Sequence, residues 1–185
     1  YVYDISQTDG QPLPEITNIL DGDLDEGLKA LKEAMLQVSP VPVHFQPIDE
    51  GANGFYSPAT NEIVVDSRLP EKHSLKTLVH EVCHSMLHNP EASGSKSTRE
   101  AKEVEAESVA YVVCQYMGLD TSDYSFGYIA DWSTNKATPE LRASLETIRD
   151  TSNEIIAKVE QVLAQKESLE QTVSVLPEIH KGRCL

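Results

Sequence analysis

The feature that most constrains this chain is a pair of histidines four positions apart, His80 and His84, with Glu81 directly after the first. Four residues of an α-helix advance about 400°, so on a helix both imidazoles lie on one face, one turn apart. This H-E-x-x-H pattern presents both rings to a single metal ion. Glu81, about 100° around the helix, can reach a water molecule on that ion without binding the metal itself. The pattern therefore predicts a helix here and a zinc site on it.

A second helix is predicted to bring carboxylates to that site. It begins at a capping-box sequence, Ser97-Thr98-Arg99-Glu100, and ends before Gly118. Its apolar stripe carries two acids, Glu103 and Glu107, among small and apolar residues. Burying an unpaired ionised carboxylate inside a protein costs on the order of several kcal/mol, so these groups need a cation or dense hydrogen bonding. A metal on His80 and His84 would meet that need.

The remaining sequence predicts helices and short strands in mixed order. The expected elements are a strand at 1–5, a helix over Leu24–Val38, a strand over Val41–Phe45, a hairpin over Gly54–Val65, the motif helix over Glu71–His88 and a long amphipathic helix from Thr138. Together they predict an α+β, zincin-like domain, with a small, mostly antiparallel sheet packed on two zinc-binding helices and a long C-terminal helix. We expect this domain to occupy residues 1–165, followed by a fraying tail at 166–185.

Composition narrows the class of protein further. A chain of 185 residues that is 39% hydrophobic and 24% charged is typical of one soluble domain, and no apolar run approaches the roughly 18 residues that cross a bilayer. The formal charge of −15 disfavours direct nucleic-acid binding. Three distant cysteines predict a reducing, cytoplasmic setting. Since alternation begins at Tyr1 and there is no initiating Met, we expect a piece of a longer protein. The oligomeric state is left open.

The two helical motifs resemble those of a known group of enzymes. The H-E-x-x-H helix followed by Glu103-Val104-Glu105-Ala106-Glu107 resembles the gluzincin metallopeptidases, and within them the ImmA/IrrE-type group. Over roughly residues 1–165 the chain is similar to the C-terminal metallopeptidase domain of ArdC/LtrC-like antirestriction proteins of conjugative elements. The resemblance implies Glu103 as the third zinc ligand. Glu107 is implied either as the residue that orients a ligand or as the alternative ligand.

A metallopeptidase mechanism follows from zinc chemistry. Three protein ligands leave a fourth position for water, whose pKa falls towards about 7 on zinc. Glu81 would accept the water proton during attack on a peptide carbonyl and pass it to the leaving nitrogen. We expect the strand over Ile63–Val65 to pair with an extended peptide substrate. The candidate donors to the oxyanion, which the sequence does not rank, are His73, Tyr124 and Tyr128.

Two other interpretations stay open. In one, zinc is structural and the acidic surface makes this a non-proteolytic antirestriction or interaction domain, which the charge of −15 favours. In the other, the domain cleaves one repressor partner only, as the ImmA-like relatives imply. His88 continues the four-residue series, but Asn89-Pro90 ends the helix there, so it is expected to be a polar helix end.

Overall fold

Seven helices and strands build the part of the chain that the computed structural model describes, which is residues 19–49, 51–89, 98–122, 125 and 138–175. The elements are α1 (Glu26–Val38), β1 (Val43–Gln46), β2 (Gly54–Ser57), β3 (Glu62–Asp66), α2 (Glu71–Leu87), α3 (Arg99–Tyr116) and α4 (Thr138–Val175). The α+β class is therefore confirmed. The strand expected at residues 1–5 lies outside the described residues.

The sheet has three strands in the order β1-β3-β2, and it is mixed. β3 runs parallel to β1 and antiparallel to β2, so the expectation of a mostly antiparallel sheet is wrong for the described strands. β3 carries the continuous apolar run Ile63–Val65, all of it buried, and such a run suits a central strand. Because both sides of β3 are paired, it cannot accept a peptide as another strand. Of the strands that the structure describes, β2 is an edge strand, paired only with β3, and it contacts α2.

The motif helix and its partner form the centre of the core. α2 buries Leu75, Leu78, Val79, Val82 and Cys83, and α3 packs against it through small side chains, among them Ala106 and Ala110. Small residues let the two helix axes approach closely, which brings their polar side chains within contact distance.

Both ends of α3 are close to those expected from the sequence. The helix begins one residue later than the capping box suggested, because Thr98 is the N-cap and its hydroxyl accepts from the Ala101 N–H. Gly118 follows the C-cap with φ of +87°, the left-handed conformation in which glycine is favoured.

The long helix α4 closes the core on the side away from the sheet. Ile155 and Val159 are fully buried, and Tyr116 of α3 donates from its hydroxyl to Glu160 at 2.7 Å. Further along, Lys166 pairs with Glu33 of α1 at 2.6 Å. The helix continues to Val175, so residues 166–175 are helical, while the domain boundary at 165 stays a prediction.

Within the described ranges, none of the helices combines the length and the apolar character needed to span a bilayer.

Candidate metal centre

Three side chains from α2 and α3 meet at one point. Nε2 of His80 lies 3.1 Å from Nε2 of His84, and Oε2 of Glu103 lies 3.3 Å from the His84 atom and 3.7 Å from the His80 atom. Ligands at zinc's usual bond lengths of about 2.0–2.1 Å in tetrahedral geometry lie about 3.3–3.4 Å apart. The observed triangle therefore fits a zinc ion bound by two imidazoles and one carboxylate.

The charges around this triangle favour a cation. Hydrogen bonding to His80 and His84 holds the pKa of Glu103 far below its usual range. Burial alone would lower the pKa of His80, but the carboxylates of Glu103 and Glu107 outweigh it and raise that pKa to about 9. Two anions thus surround the rings, and a divalent ion suits such a set of donors.

The two acids of α3 have different surroundings, which the sequence did not distinguish. The side chain of Glu103 is 45% exposed, whereas that of Glu107 is 3% exposed. Glu107 contacts the outer side of the His80 ring, where its Oε2 lies 2.9 Å from Nδ1 but off the direction of the N–H bond. Glu103, and not Glu107, is therefore the acid at the Nε2 atoms.

Glu107 is balanced by partners that sequence reasoning missed. Its Oε2 accepts from Nζ of Lys76 at 2.7 Å, and its Oε1 accepts from the Ser125 hydroxyl at 2.6 Å. Burial raises the pKa of Glu107, yet contacts with His80 and Lys76 lower it to about 2. The available signal for Lys76 was its position one turn before His80 on the same helix face. The buried charge on α3 thus has a cation of its own.

A cavity of about 700 Å³ opens beside the triangle. It is lined by β2 residues, including Gly54 and Tyr56, by the α2 residues Glu81 and His84, and by Glu103 of α3. Glu81 is 7% exposed, and burial raises its pKa although His80 and His84 act in the opposite direction. A buried carboxylate with a raised pKa is suited to accepting and returning a proton.

Gly54 permits β2 to lie this close to α2. A Cβ atom there would lie 2.7 Å from Cγ2 of Thr77, 2.9 Å from the carbonyl oxygen of Val64 and 3.4 Å from Cγ of Glu81. Only a residue without a side chain fits between the strand and the helix, so the wall of the cavity depends on this glycine.

The three candidate oxyanion donors have different outcomes. His73 is buried and does not itself line the cavity: its Nδ1 accepts from the Leu20 N–H at 3.2 Å, and its Nε2 lies 3.0 Å from the carboxamide of Asn53, a residue that does line the cavity. Burial lowers its pKa. His73 therefore braces the segment before α1, and the structure does not bring it to the triangle. Tyr124 and Tyr128 lie outside the described residues.

His88 is more than a polar helix end. Its side chain is 8% exposed, and burial lowers its pKa. Its Nδ1 lies 2.9 Å from Nδ1 of His84, and its Nε2 lies 3.4 Å from Oε2 of Glu105. The Ser144 hydroxyl of α4 donates to Oε1 of Glu105 at 2.9 Å. A row of contacts thus leads from the triangle to the last helix.

Comparison with known proteins identifies the family. Residues 37–152 match the model of the IrrE N-terminal-like domain, peptidase family M78. The chain is also 27% identical over 182 residues to the uncharacterized protein pXO2-81 of Bacillus anthracis, an alignment that covers 88% of this chain and 31% of that protein. This chain therefore spans about a third of that relative's length, and no solved structure matches it. Since the family match covers more than half of the chain and includes α2, α3 and the triangle between them, the chain belongs to the IrrE N-terminal-like family of metallopeptidase-type domains.

Proposed function

We propose that this domain is a zinc-dependent metallopeptidase in which His80, His84 and Glu103 hold the metal and Glu81 is the general base. The observation that carries the proposal is the triangle of two Nε2 atoms and one Oε2 atom at the wall of a cavity that Glu81 also lines. Membership of a peptidase family supports the same reaction class.

The residues of the site divide the work of peptide hydrolysis. Zinc held by these three ligands would supply Lewis acidity, which polarises a carbonyl and acidifies water. Glu81 accepts the proton of the attacking water on its carboxylate and returns it to the leaving nitrogen. Glu107 and Lys76 keep the His80 ring in place. An extended peptide lies along β2, the strand that lines the cavity, and Tyr124 or Tyr128 donates to the developing oxyanion.

We further propose that the domain is gluzincin-like and works in the cytoplasm as part of an ArdC/LtrC-like protein from a mobile element. The motivation is the resemblance of Gly51-Ala52-Asn53-Gly54-Phe55-Tyr56 and of the two helical motifs to that group. Its substrate is a protein or peptide, and the charge of −15 opposes direct nucleic-acid binding by this chain.

The test is the substitution Glu81→Gln. The variant should bind zinc as the parent does, because Glu81 is not among the three donors, and it should lose hydrolysis of a peptide library analysed by mass spectrometry. Glu154→Gln, an exposed glutamate of α4 paired with Lys158, is the matched control and should keep full turnover. Equal turnover by the Glu81→Gln variant and the parent would refute the catalytic role.

A second candidate is a non-proteolytic antirestriction or interaction domain with structural zinc, for which the acidic charge is the supporting observation. Structural zinc sites are usually closed by four protein ligands, whereas three donors gather at this cavity among the described residues, so catalysis is favoured. Titration of a restriction enzyme distinguishes the two. Undiminished inhibition by the Glu81→Gln protein would support the acidic decoy, and abolished inhibition would support catalysis.

A narrow peptidase that cleaves one repressor would be inert towards general substrates. Co-expression with neighbouring gene products, followed by a search for a single cleaved band, tests this form of the proposal. The band should disappear when the Glu81→Gln protein replaces the parent.

A further inference from the structure

We propose that His88 is a positioning residue for the metal site, and that it holds the tautomer and the orientation of the His84 ring through a hydrogen-bonded row that ends on α4. The inference rests on the proposed function, because it takes Nε2 of His84 to be a metal ligand. It concerns a side chain that lies outside the H-E-x-x-H motif and does not belong to the triangle.

The first step is the contact between the two rings. Nδ1 of His84 and Nδ1 of His88 are 2.9 Å apart, a normal hydrogen-bond distance, so one of the two nitrogens carries a proton and the other carries a lone pair. The ring centroids are 5.1 Å apart and the planes are tilted by 53°. This geometry lets the edge of one ring face the edge of the other.

Metal binding decides which ring donates. A histidine that binds zinc through Nε2 keeps its proton on Nδ1, and a partner that accepts this proton holds the ring in place. His84 must then donate from Nδ1, and Nδ1 of His88 must accept. A neutral His88 in this state has its proton on Nε2, which lies 3.4 Å from Oε2 of Glu105.

The outer end of the row is also anchored. Oε1 of Glu105 accepts from the Ser144 hydroxyl at 2.9 Å, and the side chains of His88 and Glu105 are only 8% and 12% exposed. Every proton in the row from His84 to Glu105 therefore has one consistent assignment. The arrangement also gives the two imidazoles of the motif different supports, because His80 faces the carboxylate of Glu107 directly whereas His84 reaches Glu105 through a second ring.

Two nearly isosteric substitutions test the role of His88. In His88→Asn the carboxamide oxygen can occupy the position of Nδ1 and accept from His84. In His88→Gln the longer side chain carries its amide to the position of Nε2 and leaves the His84 Nδ1–H without its acceptor. His44→Gln is the control for replacing a histidine away from the site, because the His44 side chain lies on β1 and is about half exposed.

Zinc affinity is measured on the full chain by competition with a chromophoric chelator, and the ligand field is followed by the visible absorption of the cobalt-substituted protein. The Gln variant should bind zinc about 10- to 100-fold more weakly than the parent and show an altered cobalt spectrum. The Asn variant and the control should stay close to the parent in both measurements.

Thermal unfolding of the metal-free proteins separates positioning from packing. A purely structural role for His88 would lower the unfolding temperature of both variants without separating their zinc affinities, and that result would overturn the proposal. Parental affinity and a parental cobalt spectrum in the Gln variant would overturn it as well. If the parent itself bound no zinc, the proposed function would fall and this inference with it. If the parent bound zinc and the Gln variant matched it, this inference alone would fall, so the two failures are distinguishable.

Discussion

The buried ion pair between Lys76 and Glu107 supports the sharpest prediction. Lys76→Met replaces the ammonium group with an apolar group of similar length, which suits a residue that is 4% exposed inside α2. The change leaves the carboxylate of Glu107 buried beside the His80 ring with the Ser125 hydroxyl and without the ammonium group that it accepts from at 2.7 Å. The chain should therefore lose stability even though no large cavity forms.

The expected loss in the free energy of unfolding can be obtained in two ways, which agree in size. Removing one partner of a buried ion pair typically costs about 3–5 kcal/mol, because the other charge stays uncompensated. Independently, a pKa of about 2 for Glu107, against a usual value of 4.5, corresponds to about 3 kcal/mol in favour of its ionised form in the folded chain. His80 contributes part of that amount. We therefore expect Lys76→Met to lower the free energy of unfolding by about 2–4 kcal/mol at neutral pH.

The sign of the pH dependence follows from the lowered pKa. The ionised Glu107 stabilises the folded chain above the unfolded-state pKa, and this contribution is lost as pH falls through the folded-state pKa of about 2. The difference between parent and Lys76→Met should therefore shrink as pH falls from about 4.5 towards 2, since the carboxylate becomes neutral in both proteins.

The assay is urea unfolding of the metal-free chain. Lys158→Met is the matched control: its ion pair with Glu154 has the same 2.7 Å distance as the Lys76 pair, but it is about half exposed and should contribute less than about 1 kcal/mol. Adding Glu107→Gln to Lys76→Met should restore part of the lost stability. Equal effects at both lysines, or no recovery in the double variant, would refute the reasoning.

Two further predictions concern the sheet and its edges. Gly54→Ala should lower the free energy of unfolding, measured by thermal unfolding, by about 1–3 kcal/mol, because the added Cβ would lie 2.7 Å from Cγ2 of Thr77. Gly27→Ala, near the start of α1, is the control: the nearest atom to its Cβ is 3.4 Å away, so it should not destabilise the chain. Hydrogen bonds from Arg68 lower the pKa of Asp66 to about 2. The ionised Asp66 therefore stabilises the folded chain above its unfolded-state pKa, and this stabilisation is lost as pH falls through about 2. Asp66→Asn should remove that part of the acid sensitivity, and an unchanged urea midpoint profile between pH 2 and 5 would contradict the assignment.

Local patterns allowed much of the helical structure to be predicted from the sequence. The H-E-x-x-H spacing and the capping and C-terminal signals of α3 are properties of neighbouring residues, and the observed α2 and α3 bounds are within two residues of those expected. The apolar stripe predicted that both acids of α3 are buried and need a cation. Glu107, the more buried of the two, is paired with Lys76, and the half-exposed Glu103 is the acid at the two histidines.

Contacts between distant segments could not be predicted in the same way. The parallel pairing of β1 with β3 depends on where the hairpin folds back, and alternation within a strand carries no information about its neighbours. His88 was taken for a polar helix end because the residues that hold its outer nitrogen are on other helices: Glu105 of α3 contacts Nε2 of His88, and Ser144 of α4 donates to Glu105. No spacing rule within α2 could reveal them.

His80 and His84 of α2, and His88 directly after that helix, each lie within 3.7 Å of a carboxylate from α3: His80 contacts Glu103 and Glu107, His84 contacts Glu103, and His88 contacts Glu105. The small apolar side chains between these helices would tolerate several alignments, because sliding one helix by a turn of about 5.4 Å exchanges one small residue for another. The observed alignment satisfies all of these polar contacts together, and it also pairs Lys76 with Glu107. These contacts therefore help to set the registry of α2 against α3. A misaligned core would also misplace the metal donors.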